Sequence, residues 1–217
     1  MIELFPGPFI HIGGDEAVKT QWEASAEIRE LAAQAGAKDM NELQSQVIKR
    51  MDRFLSARGK RLVGWDEILE GGLAPGATVM SWRGIKGGVD AAKAGHDVVM
   101  APNSHTYFDH YQSDRLAEEP LAIGNVLPLE KVYGYEPIPR ELKADQVRHI
   151  LGVQGQLWGE YLPTTESVEY MAFPRLMALA EVAWSASGAR DYGLFLERLK
   201  RHLKRLDVLG VRYRPLD

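Results

Sequence analysis

His11-Ile12-Gly13-Gly14-Asp15-Glu16, directly after the apolar run Phe5-Pro6-Gly7-Pro8-Phe9-Ile10, is the stretch on which the reading of the fold turns. It sets two adjacent carboxylates at the end of a predicted buried strand over residues 8–13, with two glycines that let the backbone turn closely there. In a confined site such neighbours repel each other as they ionise, so their pKa values are expected to split. One then stays protonated while the other stays charged, the division of labour of general acid–base chemistry.

Outward from this point, short apolar runs alternate with amphipathic segments, the pattern of a parallel α/β architecture. A helix rich in Ala, Glu and Leu is expected over residues 24–36. A stronger one is expected over 40–58, where Leu43, Val47, Met51 and Phe54 fall at helical spacing and Gly59 takes the capping position. Arg61–Trp65 reads as a second strand, Ala77–Trp82 as a third and Asp97–Ala101 as a fourth, with a helix over 86–94 between the last two. Residues 102–145 break the rhythm, show only a weak helix near Leu129–Val132, and read as a long functional loop that helps set substrate choice. A fifth strand is expected over Ile150–Leu157, then helices over 165–184 and 191–209, with Pro174 kinking the first of these or marking its true start.

Each strand ends in polar or aromatic residues: Asp15-Glu16, Trp65-Asp66-Glu67, Trp82-Arg83, Tyr107-Phe108-Asp109 and Trp158-Gly159-Glu160. Such endings point to the C-terminal face of a (β/α) barrel, where barrel sites lie. Paired carboxylates beside aromatic walls suit cleavage of glycosidic bonds. Five strands are too few for a closed eight-stranded barrel, so the expected fold is α/β, a partial barrel of about five parallel strands in a single catalytic-type domain spanning residues 1–217.

Composition narrows the partners. The 217 residues suffice for one sizeable core, and 45% hydrophobic with 26% charged residues is the balance of a globular protein. The net charge of -4 implies no attraction to nucleic acid or anionic membrane. No apolar run approaches the roughly 18 residues of a membrane span. The start, Met1-Ile2-Glu3-Leu4, lacks the basic segment and cleavage site of a secretory leader, and with no cysteine the compartment stays open. No internal repeat is evident, and no cofactor is implied.

The ordered series of motifs resembles glycoside hydrolase family 20, the β-N-acetylhexosaminidases. His11–Glu16 resembles that family's fourth-strand signature, Gly64-Trp65-Asp66-Glu67 its fifth, Ser81-Trp82-Arg83-Gly84 its sixth, Tyr107-Phe108-Asp109 its seventh and Leu157-Trp158-Gly159-Glu160 its eighth. Phe173-Pro174-Arg175 and Ala180-Glu181-Val182-Ala183-Trp184 follow. The resemblance implies removal of terminal β-linked N-acetylhexosamine by a substrate-assisted mechanism, in which the 2-acetamido oxygen attacks the anomeric carbon and an oxazolinium ion forms. Glu16 would be the acid and base, Asp15 would orient the acetamido group, and Tyr107 would hydrogen-bond its oxygen. Trp65, Trp82 and Trp158 would wall the sugar, and Asp109 and Glu160 would bind ring hydroxyls. The family's first three strands, with an arginine for sugar hydroxyls and a histidine and an aspartate behind the acid, have no counterpart here. Met1–Phe5 resembles the tail of the helix before strand four.

Two other functions fit the same residues. One is a retaining glycosidase with Asp109 as an enzymic nucleophile; the other is a catalytically deficient sugar-binding fragment. Other side chains have plainer readings. His11 is expected to be a hydrogen-bonded core histidine, Trp22 and Trp184 core tryptophans, Glu67 a helix cap, and His105 and His110 solvated loop residues. Lys200–Arg205 is expected on the solvated face of the last helix. Asp15, Glu16, Asp66 and Glu67 have the chemistry of a hard-cation site, but the tryptophans among them favour sugar, and no metal is expected. The outer strands of an open barrel present unpaired edges, so a homodimer is expected.

Overall fold

The structure, a computed structural model, describes residues 2–216. Its strands, among the described residues, are β1 (Phe9–His11), β2 (Arg61–Trp65), β3 (Thr78–Ser81), β4 (Val98–Met100), β5 (His110–Tyr111), β6 (Ile123–Val126) and β7 (Ile150–Val153). The chain forms two compact units, one of Met1–Met100 with Arg140–Leu151, the other of Ala101–Pro139 with Gly152–Asp217.

In the first unit β1, β2, β3 and β4 pair in sequence order, and β7 begins beside β4. The first three pairings are parallel, with Phe9 opposite Arg61, Val63 opposite Thr78 and Val79 opposite Val98. Leu62, Val63, Val79, Met80, Val98 and Met100 are all buried. Such a near-continuous apolar run marks strands of a parallel sheet covered on both faces. The expected strands are present, each within the range read from sequence and most of them shorter. Ahead of β1, Ile2–Leu4 form a turn, with Met1 outside the described residues. Lys60 Nζ fixes the approach to β1 by donating to the carbonyls of Phe5, Pro6 and Gly7 at 3.1, 2.9 and 2.7 Å.

The helix Met40–Ser56 crosses from β1 toward β2. Asp39 caps it by accepting from the Glu42 N–H at 2.8 Å, and Gly59 turns the chain away at φ 69°. It buries Leu43, Ile48 and Leu55. Its neighbouring stripe of Val47, Met51 and Phe54 is exposed, and with Ile12 and Leu55 it lines a trench of about 410 Å³. The helix expected over 24–36 is instead two, Thr20–Ala24 and Ala26–Gln34. Ser25 between them is extended and caps the second by accepting from Ile28 N–H, because a serine hydroxyl competes better at a helix start than inside one. Helix Lys86–Lys93 lies where expected.

Residues 102–139, read as most of a long functional loop over 102–145, form part of the packed second unit. Phe108, Leu127, Val132, Tyr133 and Tyr135 are buried in its core with Leu179, Phe195 and Leu199. Three helices support them, Thr165–Ala172, Arg175–Trp184 and Tyr192–Leu209, the first two separated at Phe173-Pro174. The last is capped by Asp191 and closed by Gly210 at φ 70°, and Lys200–Arg205 keeps its basic residues exposed. Arg175, 0% exposed, ties the unit together. Its guanidinium donates to the carbonyls of Phe108, His110, Leu127 and Met171 at 2.5, 2.9, 3.0 and 2.8 Å. Trp184, expected in the core, is 91% exposed at the end of its helix, where the chain turns away at Ser185. Trp22 is only half-buried, on a helix too short to bury a face.

Arg175→Met is expected to destabilise the second unit by at least about 3 kcal/mol, because each buried acceptor left without a donor costs roughly 1–3 kcal/mol. Urea unfolding with amide exchange read at Phe108–Leu127 checks this, and an unchanged midpoint would show that the four bonds are not what holds the unit.

Candidate active site

Parallel pairing aligns the C-terminal ends of β1, β2 and β3, and the chemistry of the first unit lies beyond those ends. After β1 the backbone stays bound to its neighbours: Ile12 N–H donates to the Val63 carbonyl at 2.9 Å and Trp65 N–H to the Gly13 carbonyl at 3.0 Å. Gln44, buried on the long helix, donates to the Gly14 carbonyl at 2.9 Å. Gly14 sits at φ 96°, and a Cβ there would stand 2.6 Å from Ile68. Only glycine therefore lets the chain turn so close to the segment after β2. Asp15 and Glu16 follow immediately, and Glu16 itself adopts a left-handed φ of 48°. Both side chains are exposed. They stand past the strand end rather than inside the sheet.

Trp65 is buried at the end of β2, edge-on to His11 with ring centroids 4.9 Å apart. His11 is no core residue: it ends the edge strand, is exposed, and accepts the Gly13 N–H on Nδ1 at 3.0 Å. Asp66–Leu69 forms a turn of 3-10 helix in which neither acid caps the backbone, which corrects the reading of Glu67. Glu67 is buried and accepts the indole N–H of Trp82 on Oε2 at 2.9 Å. Arg83 Nε lies 3.0 Å from Asp66 Oδ1 and 3.6 Å from Glu67 Oε1, and its Nη1 lies 2.9 Å from Glu70 Oε1. Burial pushes the Asp66 carboxyl up to about 6, against the pull of Arg83.

In the second unit Tyr107 and Gln156 form an isolated parallel bridge, extended where the seventh motif was expected. Tyr107 is buried, with its ring tilted against Trp158 at 6.5 Å and His110 at 5.7 Å between centroids. His110 is buried, not solvated, because it belongs to β5 within the core, and burial lowers its pKa to about 4. His105 is half-buried and stacks on Tyr135 at 5.1 Å. Trp158 and Glu160 are exposed beside a 3-10 turn, Gly159–Tyr161. Asp109 is 4% exposed, and both its carboxylate oxygens lack a hydrogen-bond partner among the described residues. Burial pushes its pKa up to about 6, with the Glu160 charge adding to the rise and Arg175 opposing it. A buried carboxylate left with two empty acceptors is suited to hydroxyl donors from outside.

Trp65, Trp82 and the acids behind them are thus assembled in one unit, and Tyr107, Asp109 and Trp158 in the other. The roles of Glu67, Gln44 and Arg175 went unread in the sequence, although Glu67 and Arg175 stand inside motifs already singled out. Among the described residues no group of three or more His, Asp or Glu side chains is arranged to hold a metal ion.

The profile described as glycosyl hydrolase family 20, catalytic domain, matches residues 1–187. A beta-hexosaminidase of Porphyromonas gingivalis is 52% identical over 211 residues, covering 97% of this chain and 27% of that protein. A beta-hexosaminidase of Vibrio furnissii is 39% identical over 180 residues, covering 82% of this chain and 29% of its own length. Among solved structures, the GH20 exo beta-N-acetylglucosaminidase of Vibrio harveyi in complex with N-acetylglucosamine superimposes with a TM-score of 0.87 at 37% identity, over 98% of this chain and 34% of that one. The Flavobacterium johnsoniae chitobiase gives 0.82 at 33% identity, over 97% and 31%. This chain spans between 27% and 34% of the length of these relatives. The fold is accordingly α/β, part of the (β/α) barrel of these structures.

The unpaired Asp109 carboxyl makes stability depend on pH. Its folded pKa is raised above the ordinary carboxylate value, so its favourable contribution is complete below about pH 4 and is lost as pH rises through about 6. The stability difference between Asp109→Asn and the parent is expected to move in the variant's favour by about 2–3 kcal/mol between pH 4 and 7.5. Urea titrations at both pH values check this; a difference that stays constant would mean the carboxylate is compensated.

Proposed function

The chain belongs to glycosyl hydrolase family 20, and on that premise we propose that it takes part in removing terminal β-linked N-acetylhexosamine by substrate-assisted hydrolysis. The observation that carries this reading is the alignment of Asp15-Glu16, Trp65 and Trp82 beyond three consecutive parallel strands of one unit. In this mechanism Glu16 protonates the leaving oxygen while the substrate's own acetamido oxygen attacks the anomeric carbon. The C–O bond to the leaving group breaks as the oxazolinium ring closes. Asp15 accepts the acetamido N–H and offsets the positive charge. Glu16, now a carboxylate, then takes a proton from the water that reopens the ring and restores the configuration.

Tyr107 is assigned the hydrogen bond to the acetamido oxygen, Trp65, Trp82 and Trp158 the apolar walls, and Asp109 and Glu160 the ring hydroxyls. The empty acceptors of buried Asp109 support the last assignment. Its lack of a hydrogen-bond partner equally suits a sugar-binding role without turnover, a reading favoured by the exposure of Asp15 and Glu16.

Hydrolysis of an aryl N-acetyl-β-glucosaminide beside the matching β-glucoside tests the proposal. Selective cleavage of the acetamido sugar is expected, falling at least about 100-fold in Glu16→Gln. Calorimetric binding of N-acetylglucosamine with no turnover would leave the binding role standing and remove the catalytic one.

We also propose that two copies of this chain associate. β1 is an edge strand, and the exposed Val47, Met51 and Phe54 stripe lies beside Ile12, just past it. Sedimentation is expected to show a dimer that Phe54→Glu dissociates; a monodisperse parent monomer would refute it.

A further inference from the structure

Glu67 is a buried acid whose hydrogen bond goes to a tryptophan. Burying a carboxylate is costly unless its oxygens are bound, and here each oxygen has a partner: Oε2 accepts the Trp82 indole N–H at 2.9 Å, and Oε1 faces Arg83 Nε at 3.6 Å. Arg83 does not need Glu67 for charge balance. Asp66 and Glu70 already pair with it at 3.0 and 2.9 Å. The indole nitrogen stands closer to Glu67 than Arg83 Nε does.

The support behind Glu67 is rigid. It lies one residue after Asp66 and one before Ile68, which are 2% and 0% exposed. Ile68 fills the space left by two glycines: a Cβ on Gly14 or Gly64 would come within 2.6 or 2.7 Å of its Cγ2. Asp66 is in turn enclosed by Gly87 at the start of the helix Lys86–Lys93, where a Cβ would fall 2.6 Å from it. A half-buried tryptophan just past a strand end keeps several rotamers open. A hydrogen bond to its N–H selects one of them.

We propose that Glu67 is a positioning residue that fixes the Trp82 indole as a wall of the pocket for the sugar's N-acyl group, and so sets the size of acyl group accepted. This rests on the N-acetylhexosaminidase reading given above. Removing the anchor takes away the bond that selects the ring's rotamer and is expected to enlarge the pocket, while a glutamine keeps an acceptor oxygen in place.

Two measurements test it. With 15N-labelled tryptophan, the indole signal absent from Trp82→Phe identifies Trp82, and its N–H is expected to exchange at least about tenfold faster in Glu67→Ala than in the parent. Glu67→Gln is expected to retain most of the protection. Unchanged exchange in Glu67→Ala would overturn the anchor. On aryl N-acetyl- and N-propionyl-β-glucosaminides, Glu67→Ala is expected to raise the N-propionyl to N-acetyl ratio of kcat/KM about tenfold, the scale of one methylene in an apolar pocket. A general loss of folding lowers both rates together and leaves the ratio alone, so an unchanged ratio overturns the specificity role. A parent chain with a protected Trp82 N–H that cleaves neither substrate and does not bind N-acetylglucosamine overturns the hexosaminidase reading, and the specificity role with it.

Discussion

Parallel strand pairing is the constraint on which the first unit depends. Strands that run the same way must end on the same edge, so whatever follows β1, β2 and β3 meets there without further design. The segments after them carry Asp15-Glu16, Trp65 and Trp82. Their closeness is maintained by backbone bonds that extend the ladder beyond the strands, from Ile12 to Val63 and from Trp65 to Gly13. In the polar layer behind them Arg83 pairs with Asp66, Glu67 and Glu70, and its buried member Glu67 holds the Trp82 indole.

The second unit sets two buried charges in contrast. Arg175 donates from its two terminal nitrogens to four backbone carbonyls and so ties a chain segment without regular periodicity into a core. Asp109, one residue from Phe108, whose carbonyl Arg175 binds, receives no hydrogen bond on its carboxylate among the described residues. One charge is used to close structure, and the other is left with unfilled acceptors.

Much of this was legible in the amino acids, for definite reasons. β2 was read from Arg61 to Trp65 as it stands, because a short apolar run bounded by polar residues has one interpretation at that length. The long helix was equally plain, yet its spacing could not say which stripe is covered: Ile48 and Leu55 are buried while Val47 and Phe54 are not. Periodicity locates a face, and only the tertiary partner decides what covers it. The stretch 102–145 was opaque because Phe108, Leu127, Val132 and Tyr135 follow no single period, and the Phe108 and Leu127 carbonyls are bound by Arg175 from outside the segment. Candidate residues were found by type and order, but the bond from Trp82 to Glu67 required coordinates. A carboxylate beginning a helical turn looks like a cap until its partner is seen.

The left-handed backbone at Glu16 carries an implication for substitution. At φ 48° the chain favours glycine or asparagine, and a longer side chain there carries strain on the order of 1–2 kcal/mol. Glycine, the residue freest at such a φ, brings no carboxyl group. Variants selected for thermal endurance alone would therefore drift toward glycine at this position. Retention of glutamate then reports a demand other than folding, and tolerance at residue 16 becomes a gauge of which demand a given lineage obeys.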